Sequence, residues 1–168
     1  FVKAPEGASP GLTILKAISK VNIPIIAAVE GGAVGIGVTM LLHCDFVIAG
    51  SGAQLRIPFV PLGLCPEGAS SLLLARYVGI RKANEWLYRG TPFSAEDAQQ
   101  AGLINRVVVA GEALNTAMTL AREMAGQSRL ALTSTKALLQ RASADEVAIT
   151  LDAERELFAQ CLASPEAR

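Results

Sequence analysis

Apolar and polar positions along this chain alternate between a strand-like and a helix-like period. Leu12, Ile14, Leu15 and Ile18 share one helical face and predict a helix over 12–21, opened by the cap-and-first-turn pair Ser9-Pro10. Asn22-Ile23-Pro24 ends it. The continuous apolar run 25–29 predicts a strand buried on both faces. A glycine-rich turn over 30–37 and a helix over 38–44 follow. Further strands are predicted at 45–49 and 53–57. A proline-broken loop then feeds an apolar helix over 70–78, with Pro66 and Glu67 read as its first turn. The second half is mostly helical: 81–88, 94–102, 112–124, 129–139 and 146–162, with one strand at 103–109. Ser94-Ala95-Glu96-Asp97 and Ser143-Ala144-Asp145-Glu146 are capping-box patterns, and Phe93 is placed to staple the first of them. Ala131, Leu132, Ala137 and Leu138 read as packing stripes.

Short links between strand, helix and strand predict right-handed crossovers and a parallel sheet, hence an α/β fold. Sites in such folds sit at the carboxyl ends of strands. Two segments lie at such ends here, the turn 31–37 and the loop 58–67. Glycines in the first let a ligand approach the backbone, and helix-start N–H groups there can polarise a carbonyl oxygen. The turn lacks the G-x-G-x-x-G and P-loop patterns, and on its own a plain strand–helix connection explains it as well.

The second segment carries one acid, Glu67. Its surroundings admit two readings: a general base held between a rigid loop and a buried helix, or a residue that caps its own helix. An apolar setting of Phe59, Val60, Leu62 and Leu64 would raise its pKa, whereas a helix N-terminus would lower it. Thr39 also admits two readings. It either lines a pocket or bonds back to a helix carbonyl, the commoner fate of helical Thr.

Composition narrows the field. The chain has 168 residues, about one domain, with half of them hydrophobic and a net charge of zero. No basic block argues for nucleic acid, and no apolar run is long enough to span a membrane. Cys44, Cys65 and Cys161 show neither metal-ligand nor disulfide-framework spacing, so no metal is expected. His43 reads as a helix-end histidine, and Asp45 as a backbone tether.

At this point the residues resemble a known family. Ile23-Pro24-Ile25-Ile26-Ala27-Ala28-Val29-Glu30-Gly31, the Gly35-Ile36-Gly37 turn, His43-Cys44-Asp45, Ala53-Gln54-Leu55, the segment 90–98 and Ala101-Gly102-Leu103-Ile104 follow one another as in the enoyl-CoA hydratase/isomerase (crotonase) superfamily. The resemblance implies a spiral of β-β-α units over 1–109, then an α-helical trimerisation region over 110–168. It also implies an acyl-CoA thioester as substrate, no separate cofactor, and a homotrimer or dimer of trimers. Hydratases of the family carry two glutamates at positions that here are Thr39 and Phe59, which argues against hydration. Pro58 to Ser71 instead reproduces the P-F-x-x-L-G-x-x-P-E-G-x-S-S of the monofunctional delta(3)-delta(2)-enoyl-CoA isomerases. The implied roles are Glu67 as base, the Ile36 N–H as one oxyanion donor, and Gly35, Thr39, Phe59 and Leu62 as substrate contacts.

Two other readings stand beside the isomerase: a non-catalytic acyl-CoA-binding or scaffold module, and another enolate-forming reaction such as hydrolysis or dehalogenation. The chain opens on Phe1 without Met and stops at Ser164-Pro165, a helix start, so an internal piece of a longer protein is expected. The second oxyanion donor and a last helix would lie outside it. Alanine-rich composition points to a bacterial cytoplasm; peroxisome or mitochondrion is the eukaryotic alternative.

Overall fold

The computed structural model describes residues 10–167, so the Ser9 cap lies outside the described residues. Helix α1 (Pro10–Ile18) leads to strands β1 (Ile26–Val29) and β2 (Gly32–Val34), then to the short helix α2 (Ile36–Thr39) and a 3₁₀ turn at Met40–His43. Strands β3 (Phe46–Gly50) and β4 (Gln54–Arg56) follow, and a second 3₁₀ turn, Val60–Leu62, sits in the proline-broken loop. The remainder runs α3 (Ser70–Val78), α4 (Ile80–Arg89), β5 (Phe93–Ser94), α5 (Ala95–Ala101), β6 (Arg106–Val108), α6 (Ala113–Ala125), α7 (Arg129–Arg141) and α8 (Ala144–Leu162).

The strands form two small sheets. In one, β1, β3 and β6 are parallel in that spatial order, with Ile26 opposite Phe46 and Ile48 opposite Arg106. In the other, β2 runs parallel to β4, and the two-residue β5 pairs antiparallel to β4. The parallel pairing is as expected. The split into two sheets is not, because β2 lies inside what reads locally as a glycine-rich turn. Gly32-Ala33-Val34 has too little side chain to look like a strand, yet its backbone completes a ladder with Gln54-Leu55-Arg56.

One core cluster joins both sheets to α1, α2, α3, α4 and α5, through Leu15, Val38, Leu42, Leu55, Ile57 and Leu74 among others. A smaller cluster of Ile48, Ala113 and Ala117 seats α6 on the first sheet. The Ser94 capping box forms in full: its Oγ accepts from the Asp97 N–H at 3.0 Å, and Asp97 accepts from the Ser94 N–H. The Ser143 box does not form. Its Oγ donates to the Gln140 carbonyl instead, and Glu146 pairs with Arg76 on α3. A partner on another helix wins because Glu146 stands on the side of α8 that faces α3.

The predicted stripe on α7 is also corrected. Ala131, Ala137 and Leu138 are exposed, and the residue of α7 that reaches the interior is Lys136. Its Nζ donates to Asp45 Oδ2 at 2.7 Å and to the Ile23 carbonyl at 2.8 Å. Asp45 is the tether expected of it, accepting also from the Ile25 N–H at 2.7 Å.

Candidate functional site

The site is built where β2 and β4 end side by side. Their parallel pairing carries Gly35 beside Arg56, and the Gly35 N–H donates to the Arg56 carbonyl at 2.9 Å. Gly35 takes a positive φ of 57°, which turns the chain directly into α2. Ile36 is then the first residue of α2, and the first N–H groups of a helix have no partner within it. From the end of β4 the chain enters the proline loop, whose Phe59 is buried and lies against Gly35. Both predicted segments therefore leave the same sheet edge.

Glu67 stands at the far end of that loop. The structure corrects its expected position, since α3 begins only at Ser70 and neither Pro66 nor Glu67 is helical. The half-buried Glu67 carboxylate is held by α2: the fully buried Thr39 hydroxyl donates to Glu67 Oε1 at 2.5 Å. The commoner fate of a helical Thr, bonding back to its own helix, is thus not taken here. Thr39 is three residues after Ile36, about 4.5 Å along the axis at 1.5 Å per residue. One short helix therefore carries an N–H without a partner in its own helix at its start and a clamp on the carboxylate at its end.

The reason Glu67 does not cap α3 is a residue that local reading missed. Glu154 of α8 is buried, and its Oε2 accepts from the Ala69 N–H at 2.6 Å. Its Oε1 accepts from the Ser71 N–H at 2.8 Å and the Ser71 hydroxyl at 2.5 Å. The amino end of α3 is thereby satisfied from 85 residues away in sequence. A signal for this exists in the chain: Leu151, Glu154 and Phe158 share a helical face, and an acid on an otherwise apolar face needs buried donors. Phe158 itself meets Phe59 edge-on, with ring centroids 6.2 Å apart.

Burial pushes the Glu67 carboxyl above its ordinary range; the Thr39 hydrogen bond opposes the rise, and the Glu154 charge adds to it. His43 is buried and held below its ordinary value, mainly by desolvation. Its Nε2 lies 2.8 Å from the Gly68 carbonyl, which can only accept, so this nitrogen carries the proton. The helix-end histidine thus anchors the residue after Glu67. The Cys65 thiol is pushed up to about 11, by burial first and then by Cys161 and Glu154, so it is no nucleophile at neutral pH. Leu62 is half-buried in the 3₁₀ turn of the same loop.

Gly68 is packed against the clamp itself. Its φ is +74°, and a Cβ there would lie 2.9 Å from Thr39 Cβ and 3.0 Å from Thr39 Oγ1. Gly68→Ala is expected to lower stability by about 2 kcal/mol and to dislodge the Thr39 clamp. Thermal melting should show a drop of roughly 4–8 °C for a domain of this size.

A cavity of about 980 Å3 lies elsewhere, between α1, α7, α8 and the start of β3, and neither Glu67, Thr39 nor Ile36 lines it. Its principal charged groups are already paired, Lys16 with Asp152 and Lys136 with Asp45. That leaves little unspent chemistry, so the Glu67 site is the better candidate. Among the described residues no group of three or more His, Cys, Asp or Glu is arranged to hold a metal, and no helix is long and apolar enough to cross a membrane.

Comparison with known proteins agrees with the resemblance read from the motifs. The family model described as enoyl-CoA hydratase/isomerase matches residues 6–168. The chain is 38% identical over 137 residues to a 2,3-dehydroadipyl-CoA hydratase of Escherichia coli (strain K12), covering 82% of this chain and 54% of that protein. It is 32% identical over 156 residues to an enoyl-CoA isomerase/hydratase of Mycosarcoma maydis, covering 92% of this chain and 57% of that protein. The chain thus spans little more than half the length of these relatives. Among solved structures, an enoyl-CoA hydratase/isomerase from Pseudoalteromonas atlantica T6c superposes with a TM-score of 0.93 at 38% identity, over 98% of this chain and 66% of that one.

Proposed function

This chain belongs to the enoyl-CoA hydratase/isomerase family, and from that premise we propose that it isomerises a 3-enoyl-CoA to the conjugated 2-enoyl-CoA, as in fatty acid β-oxidation, with Glu67 as the sole acid–base group. The observation that carries the reading is the single available carboxylate. Hydration of the alkene calls for two acids to orient and activate a water. The two positions where the family's hydratases carry them are Thr39, spent on Glu67, and Phe59, packed on Phe158. Glu154, the buried carboxylate nearby, has both its oxygens committed to the start of α3.

One acid is enough for a double-bond shift. Glu67 takes a proton from C2 and returns it at C4, and no water enters. Negative charge gathers meanwhile on the thioester oxygen, where the Ile36 N–H is the donor the family pattern implies; one such donor is worth about 3–4 kcal/mol in the transition state. With Oε1 held by Thr39, Oε2 is the oxygen left to move the proton. Gly35 leaves the backbone open to the thioester, and Phe59 and Leu62 give the acyl chain an apolar wall. Self-association belongs to the same reading: Leu130, Leu138 and Leu139 of α7 are 76%, 69% and 75% exposed, and other subunits of a homotrimer would cover them.

The test is conversion of a 3-enoyl-CoA, followed by the ultraviolet absorbance of the conjugated thioester, on the protein encoded by the whole gene. Hydration of a 2-enoyl-CoA is measured alongside. Isomerisation far outpacing hydration supports the reading; the reverse order sinks it. The raised pKa of Glu67 sets the pH dependence. The base works ionised, so kcat/KM is expected to be flat above its pKa and to fall tenfold per unit below it. That acid limb should lie above 4.5, the ordinary value for the group.

A further inference from the structure

The amino end of α3 has N–H groups that need acceptors, and two acids lie near it in the fold. Glu67 comes three residues before the helix starts. Glu154 arrives from α8 and takes the position. Those N–H groups lower the pKa of the carboxylate that accepts from them, although at Glu154 burial outweighs them and its carboxyl stands above the ordinary range. Were Glu67 the acceptor there, both its oxygens would be spent on the helix and none would be left to move a proton.

We propose that Glu154 is the positioning residue for Glu67: by satisfying the amino end of α3 itself, it leaves the Glu67 carboxylate to face substrate from the Thr39 clamp. This rests on the reading of Glu67 as the proton-transfer group. Three further observations fit. Ala69 adopts a left-handed conformation, φ 56°, which a non-glycine residue holds only when its surroundings enforce it; the Glu154 bond to its N–H does so. Gly68 and Ala69, both left-handed, reverse the chain between Glu67 and the helix, so the two acids serve different partners. The Cys65 thiol also reaches the Glu154 carbonyl at 3.9 Å, and Phe158 packs on Phe59, so α8 is docked along the whole loop.

The groups that surround Glu67 are few. The Thr39 hydroxyl comes from α2, Glu154 from α8 and, one residue on, His43 holds the Gly68 carbonyl from the 3₁₀ turn. Cys65 stands two residues upstream with Cys161 of α8 beside it. Of these, Glu154 is the one whose charge raises the Glu67 pKa. Removing that charge and freeing the α3 N–H groups both favour ionised Glu67, so the two effects share a sign.

The experiment is a carbon-13 NMR titration of glutamate side-chain carboxyls on the whole-gene protein, with the Glu67 signal assigned by its loss in Glu67→Gln. In Glu154→Gln the Glu67 midpoint should fall by about half a unit or more, and the acid limb of kcat/KM should move with it. Glu154→Ala removes the same charge and frees the same N–H groups, should shift both the same way, and carries the test if Glu154→Gln does not fold. A purely structural Glu154 would lower the melting temperature and leave the Glu67 midpoint where it is in the wild type, which overturns the proposal. The titration needs no turnover. A wild-type protein without isomerase activity would sink the functional reading, whereas the Glu154 effect would stand or fall on the midpoint alone.

Discussion

Glu67→Gln is expected to lower kcat for 3-enoyl-CoA isomerisation by about 10²- to 10⁴-fold, the usual worth of a general acid–base group. The substitution is nearly isosteric. The amide oxygen can still accept from Thr39, so the clamp and the loop should persist. A half-buried carboxylate whose pKa is raised by burial costs the fold something, and a neutral amide relieves part of that cost. The melting temperature should therefore hold or rise while the rate collapses. KM should change little, because proton transfer is a transition-state role and not a contact with the bound ground state. The pH profile gives an independent check: the acid limb assigned to Glu67 should vanish from whatever activity remains. A variant that turns over at the wild-type rate would remove Glu67 as the base and return attention to the groups around Thr39.

Lys136→Met is expected to have the largest effect on stability. The Lys136 side chain is 2% exposed, and its ammonium bonds both Asp45 and the Ile23 carbonyl. Truncating one member of a buried pair leaves the other charge uncompensated, typically at 3–5 kcal/mol. Asp45 is 24% exposed and keeps the Ile25 N–H, so solvent takes up part of the loss. About 3 kcal/mol is the expected cost, or roughly 6–12 °C in melting temperature. The double variant with Asp45→Asn should recover part of it, since no naked charge remains. A Lys136→Met protein that melts with the wild type would show that the pair contributes nothing net. This pair also explains the position of α7. The helix turns most of its leucines outward and reaches the β1–β3 edge through one lysine.

Much of the architecture was legible because it depends on local periodicity. The continuous run around Ile26–Val29, the helical face of α1 and the Ser94 box each need only neighbours a few residues apart. The strand β2 was not legible, since Gly32-Ala33-Val34 has no strand-like side chains and owes its conformation to the backbone of β4. The Ser143 box failed for a related reason, its Glu146 being drawn to Arg76 across the helix packing. For the site, the motif through Pro58 to Ser71 singled out Glu67, and the family resemblance at the Gly35-Ile36-Gly37 turn pointed to Ile36. The clamp from Thr39 escaped it, because a helical hydroxyl has a nearer carbonyl in almost any context.

The amino-acid sequence by itself determined the family, the parallel strand–helix alternation, the single acid at the loop end and the absence of acids at positions 39 and 59. What it left open was whether Glu67 caps the helix that follows it, and only the tertiary structure decided that it does not. Helix N-termini must find acceptors, and local sequence reveals those acceptors only when they lie within a few residues. Here α3 takes its acceptor from Glu154, and the α6 end from Glu30, whose Oε1 accepts from the N–H groups of Gly111 and Ala113 at 3.0 Å each. Both donations span more than 80 residues of chain. Packing of α8 against the loop supplies the first, and docking of α6 on the sheet supplies the second. Once a distant carboxylate has taken the α3 end, Glu67 has nothing left to cap, and burial rather than the helix dipole governs its protonation.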